Sequence, residues 1–282
     1  MMVKPVIVHY SSCLRSNGRN TFSIFSDQES VCIDRRQLTV SAELANLFVM
    51  PTVCGTLRRS LSMLFILAVL PASQATEHRV FVGNFSQGDL STWTPQPFKG
   101  KTDYRLVDIG DRRVLKATSD GSASGLSKRV HIDLTCTPIL GWSWRVEGVF
   151  QGIDERSKGG DDYAARLYVI VSGGLLFWRT RSLNYVWSSY QPLSSAWPNP
   201  YTAKVMMVAV ASGSDSGGKW VAEKRDVRAD FRRYFGQDVT AIDGVAVMTD
   251  TDDTSRHAVA YYGDIYFEPA AGRSSRQWLH GD

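Results

Sequence analysis

Residues 163–171 read YAARLYVIV, and the alternation in this run decides the fold. In an extended strand successive side chains leave by opposite faces. Ala165, Leu167, Val169 and Val171 then share one wholly apolar face, while Ala164, Arg166, Tyr168 and Ile170 share the other. The apolar set is predicted to be core. Arg166 therefore points away from it beside Tyr168, either into solvent or into a lined groove.

The run is entered through SKGGDD, residues 157–162. Gly159 and Gly160 are expected at positive φ, with Asp161 and Asp162 accepting backbone N–H groups at the strand entrance. Two readings follow. In one, the carboxylates are paired by Arg166 or another arginine and the cluster is a turn. In the other, they are hydrogen-bonding groups for a polar ligand. The same two-sidedness recurs in LGWSWRVE, residues 140–147, with Trp142, Trp144 and Val146 on one side and Ser143, Arg145 and Glu147 on the other. If the two strands are neighbours, Arg145, Glu147, Arg166 and Tyr168 share one face.

Further out, from Thr76 onward, short period-two runs alternate with Gly, Pro, Asp and Ser. Only RADFRRYFG, residues 228–236, has a helical stripe, through Phe231, Tyr234 and Phe235, and Gly236 is placed to end it. Many strands, one short helix and no βαβ rhythm predict a single antiparallel β-sandwich over residues 76–269. FSQGDLSTW, residues 85–93, opens it with Phe85 and Trp93 around a Gly-Asp turn, both rings expected in one end of the core. The tail beyond Pro269, residues 270–282, is expected to fray.

Several motifs then occur in order: KGGDDYAARLYVI (158–170), LNYVW (183–187), KWVAEKRDVRADFRRYFG (219–236), GVAVMTDTDDT (244–254) and AYYGDIYF (260–267). Together they resemble the bacterial exported family catalogued as domain of unknown function 3047. The resemblance implies an exported protein with a jelly-roll fold similar to galactose-binding-like domains. That family has no settled activity, so the resemblance assigns no catalytic residue.

Other candidates come from the residues themselves. YVWSSYQPLSSAWPNPYT, residues 185–202, gathers Tyr185, Trp187, Tyr190, Trp197 and Tyr201 in a proline-stiffened segment. Exposed, such rings are platforms for the apolar faces of sugars; the alternative is a loop folded over the core end with its rings buried. In WVAEKRDVRAD, residues 220–230, Glu223 and Arg225 alternate with Lys224 and Asp226, so both faces carry charge and an edge strand is predicted. A Glu–Asp pair there serves as general acid and base toward a sugar only if the carboxylates converge. Asp250, Asp252 and Asp253 in MTDTDDT suggest Ca²⁺, which takes oxygen ligands from loops. The helix–loop calcium motif fails, however, because Ser255 stands where glycine is needed, and the favoured reading is a solvated hairpin turn with Asp and Thr backbone caps. The scattered histidines give no zinc motif, and no Gly-rich phosphate loop is present. SDSGGKW, residues 214–220, reads as a hairpin turn.

The N-terminal part reads as an address. TLRRSLSMLFILAVLPASQATEH, residues 56–78, places Arg58 and Arg59 before an apolar run from Leu61 to Leu70. Ser73-Gln74-Ala75 then sets a signal-peptidase cut before Thr76. The run is too short to span a bilayer, so residues 50–75 are read as a cleaved signal peptide, the mature protein as periplasmic or secreted and not membrane-inserted. Residues 1–49 are read as a spurious upstream extension or a disordered arm. Of the four cysteines only Cys136 follows the cut, so no intrachain disulfide framework is expected. Before residue 76 lie 7 of the 32 Lys/Arg and 4 of the 28 Asp/Glu, leaving 25 against 24. That balance gives no footprint for a nucleic acid. The resulting expectation is an exported sandwich that binds a polar ligand, above all a carbohydrate. A glycan-acting enzyme and a structural protein of the cell envelope are the alternatives.

Overall fold

Proline and the reach of period-two runs decide which segments pair. The computed structural model describes residues 79–174, 179–213 and 218–271. The segments read as a signal peptide and an upstream extension, nearly all of the tail and most of the SDSGG turn lie outside them. The strands are β1 (Val80–Gly83), β2 (Thr94–Lys99), β3 (Asp103–Ile109), β4 (Arg112–Asp120), β5 (Ala123–Asp133), β6 (Ile139–Val146) and β7 (Ala165–Val171). They continue as β8 (Arg181–Ser188), β9 (Ala196–Asn199), β10 (Thr202–Ser212), β11 (Val221–Asp226), β12 (Ala241–Asp250) and β13 (His257–Glu268), with helix α1 (Val227–Phe235) between β11 and β12.

Two sheets form a sandwich. One runs β11-β6-β13-β4-β3, with β1 also on β13; the other runs β2-β5-β12-β7-β8-β10-β9. Pairing is antiparallel except between β10 and β8. The parallel pair arises because β9 interposes a return: it packs antiparallel on the far side of β10, so the chain re-enters in the direction of β8. β2 contains Pro95 and Pro97, and β9 contains Pro198. Proline cannot donate to a ladder and is confined to edges, and these two strands are the edges of the seven-stranded sheet.

The inward faces are the apolar ones read from the alternation. Leu167 and Val169 are buried, and so are Trp142, Trp144 and Val146. Trp142 stacks on Tyr185 at 5.4 Å between ring centroids and meets Trp144 edge-on at 5.4 Å, and Trp144 tilts against Trp187 at 5.9 Å. These contacts lay β6 over β8. Phe85 and Trp93 pack together at 5.4 Å in the same core.

α1 forms where its stripe predicts. Asp226 caps its start, accepting from the Ala229 N–H at 2.9 Å, and Gly236 closes it in the left-handed conformation at φ 64. Phe231 is the face it buries. Among the described residues no helix is long and apolar enough to cross a membrane. The glycine pair before β7 behaves differently from expectation, since neither residue is at positive φ. Gly160 is needed for space: a Cβ there would lie 2.3 Å from the Asp154 carbonyl oxygen.

Candidate functional site

Arg166 leaves β7 on the face opposite the main core, as the alternation requires, yet it is neither solvated nor in a groove. It is 1% exposed. Its Nε donates to Asp250 Oδ1 at 2.7 Å, and its Nη2 reaches both Asp250 Oδ2 and the Asp161 carbonyl oxygen. Nη1 adds Tyr168 Oη at 3.3 Å, and the guanidinium lies 4.4 Å from the centroid of the Tyr163 ring. Burial opposes the charge, but Asp250, then Tyr168 and Asp161, outweigh it, so the guanidinium is held above its ordinary value and stays charged. Glu155, also buried, accepts from the Ser188 hydroxyl and the Ser189 N–H and fastens the entering loop to the end of β8. Burial pushes its carboxyl up against those hydrogen bonds. The cluster is a lock that holds the 155–163 loop down, not a ligand wall.

This placement corrects the metal reading at Asp250, whose carboxylate is committed to Arg166. Asp162 takes its place: carboxylate oxygens of Asp162, Asp252 and Asp253 all lie within 4.8 Å of one another. Asp162 accepts from the Asp253 N–H at 3.2 Å and from both the N–H and hydroxyl of Thr254 at 2.7 Å, and the Tyr201 hydroxyl reaches Asp253 at 3.1 Å.

Other expected site residues are dispersed. Trp187 and Trp197 are 1% and 5% exposed and Tyr185 is buried with them, whereas Tyr190 is exposed and Tyr201 half-buried, so the segment follows its buried alternative only in part. Trp187 faces the main core, and Trp197 joins Tyr163, Val186, Val205, Met207 and Ala209 in a second apolar cluster on the outer side of the seven-stranded sheet. Arg145 and Glu147 do not share a face with Arg166, because β6 and β7 belong to different sheets. β11 is an edge strand as expected, pairing only with β6. Glu223 lies opposite Trp142 and so faces inward, whereas Asp226 caps α1; the two carboxylates leave from opposite faces and form no acid–base pair. Arg225 is held by Asp230 through two bonds of 2.9 and 2.6 Å.

The surface that remains is the outer face of the seven-stranded sheet. Cross-strand register aligns Thr94, Ser127, Ala246, Tyr168, Asn184, Met207 and Trp197 in one row across all seven strands. At the usual strand spacing the row is about 29 Å long. Exposure falls along it. Thr94 is open, Ser127, Ala246 and Tyr168 are half-buried, and Asn184 onward is buried. Gly125 and Gly244 flank the small residues on neighbouring rows, leaving a low floor beside the Tyr168 ring. The Gln96 amide donates to Ser127 Oγ at 2.9 Å. Asn184 is 0% exposed; among the described residues its Nδ2 has the Met207 sulfur at 3.3 Å and its Oδ1 has no hydrogen-bond partner. Asn184 was legible as the outward residue of LNYVW; its row was not, because β2 and β9 were hidden by their prolines.

A family model whose description reads Protein of unknown function (DUF3047) matches residues 91–266. The chain belongs to that family. No curated protein matches the DUF3047 chain. Among solved structures it is similar to the tailspike protein 4 enzymatically active domain of bacteriophage CBA120, at 9% identity and TM-score 0.34, over 67% of this chain and 21% of that one. It is similar to a carbohydrate-binding module of the β-sandwich superfamily with promiscuous specificity, at 13% identity and TM-score 0.34, over 66% and 61%. It is also similar to the CBM22-1 xylan-binding domain of Paenibacillus barcinonensis Xyn10C, at 10% identity and TM-score 0.32, over 67% and 94%. The chain thus spans about a fifth of the tailspike domain and three-fifths of the promiscuous module.

Proposed function

We propose that this protein binds a neutral carbohydrate along the outer face of its seven-stranded sheet. The observation that carries the reading is the half-buried Tyr168 ring beside the small residues Ala246 and Ser127, with the Gln96 amide and the Ser127 hydroxyl at the open end of the row. A small-residue floor, an aromatic ring, an amide and a hydroxyl are the complement of a sugar, whose ring faces are apolar and whose edges are hydroxyls. No residue of the row is charged, which favours a neutral ligand.

Affinity electrophoresis of the purified protein through xylan, mannan and β-glucan tests this. Retardation by at least one glycan is expected. Tyr168→Ala should weaken it about tenfold, the value of one aromatic contact, while Tyr168→Phe retains it. No retardation by any glycan, or retardation indifferent to Tyr168→Ala, refutes the reading.

Two further proposals accompany it. Export rests on the basic, apolar and small-residue succession of residues 58–75. Ca²⁺ suits the all-oxygen set of Asp162, Asp252 and Asp253, and it would offset the excess of carboxylates over Arg166 at this end of the sandwich. Added Ca²⁺ is then expected to raise Tm in the native protein and not in Asp252→Asn; equal shifts in both would refute a site there.

A further inference from the structure

The opposite outer face, that of the six-stranded sheet, carries an arrangement that the neutral-glycan reading leaves unused. Register aligns Arg145 on β6, Tyr261 on β13, Lys116 on β4 and Arg105 on β3 in one row. The Arg145 guanidinium lies 4.7 Å from the Tyr261 ring centroid, and Lys116 Nζ lies 5.8 Å from it. Among the described residues neither Arg145 nor Lys116 has an ion pair, and Arg145 Nε is buried without a hydrogen-bond partner. Glu147 is turned to the Tyr261 hydroxyl, accepting from it at 2.6 Å. Arg105 pairs with Asp103 at 3.1 Å, both well exposed, a contact that solvent leaves weak.

Two cations sharing one ring, neither in a direct ion pair among the described residues, make an oxyanion site, with the planar guanidinium suited to a two-pronged contact. Beside this row run Val107, Val114 and Trp220, an apolar strip against which the C–H face of a sugar ring can lie. At the usual strand spacing Arg145 and Lys116 stand about 10 Å apart and Arg105 about 5 Å further on. Such sparse charge fits a polymer with one carboxylate per sugar. A duplex strand carries a phosphate about every 3.4 Å of its axis, far denser than this row, and Glu147 and Asp103 stand beside the cations.

We propose that the face built by Arg145, Lys116 and Tyr261 is a second binding site, for a carboxylate-bearing polysaccharide laid across the strands. It is independent of the neutral-glycan face, on the other side of the sandwich.

The test is affinity electrophoresis of the full protein through polygalacturonate, with neutral xylan, inorganic polyphosphate and phosphatidylserine vesicles as parallel arms. Retardation by polygalacturonate that weakens with added salt is expected. Arg145→Gln with Lys116→Gln should reduce it at least tenfold, the loss of a charge-assisted contact. Glu147→Gln, which removes the neighbouring negative charge, should strengthen it, and Tyr168→Ala should leave it unchanged. Absence of retardation, indifference to the double substitution, or equal binding of polyphosphate or vesicles overturns the proposal. A loss caused by Tyr168→Ala would place acidic and neutral glycans on one face and overturn it as well.

Discussion

Arg166→Ala is expected to lower the unfolding free energy by about 3–5 kcal/mol, because it leaves the Asp250 carboxylate buried without its charge partner. The Asp161 carbonyl and the Tyr163 ring lose their contacts at the same time. Asp250→Ala should cost a comparable amount by stranding the guanidinium. Replacing both at once, Arg166→Met with Asp250→Leu, should recover much of the loss, since removing a buried pair together is far less costly than breaking it. Urea denaturation of the three variants checks this. A loss below about 1 kcal/mol, as for an ordinary surface substitution, would mean that the lock does not hold the loop.

Glu223 is the second large effect and has a pH signature. Burial pushes its carboxyl up to about 7 from an ordinary 4.5, only partly offset by Arg225. A carboxyl raised in the folded state contributes fully below the unfolded value and loses that contribution as pH climbs through the folded one. The window here is therefore about 4.5 to 7. The full difference would amount to roughly 3 kcal/mol. Because Glu223 stays partly open to solvent, screening reduces it to on the order of 1–2 kcal/mol. Glu223→Gln should accordingly raise Tm at pH above the window and match the native protein below it. A variant less stable at alkaline pH would show that Glu223 has a partner when charged.

Strands whose alternation is clean were readable without coordinates: YAARLYVIV buries Ala165, Leu167 and Val169 with Val171 half-buried, and LGWSWRVE buries Trp142, Trp144 and Val146. Period two says which side of a strand is core. It does not say which sheet a strand joins, and this is why Arg145 and Arg166 were expected together and lie on separate sheets. The carboxylates before β7 were recognisable as partners for Arg166, but Asp250, its strongest partner, lies 84 residues away in a run that looked like a calcium loop. Tyr261 and Lys116 fell in segments read only as strands, and their meeting with Arg145 follows from the β13 register alone.

β13 holds β1, β4 and β6, so the six-stranded sheet is organised around the last strand among the described residues. While a ribosome is still making residues before His257, β4 and β6 have no shared neighbour to bond, and Val80 waits for Phe267. Closure of one whole layer thus waits on long-range pairing, slow by its topology.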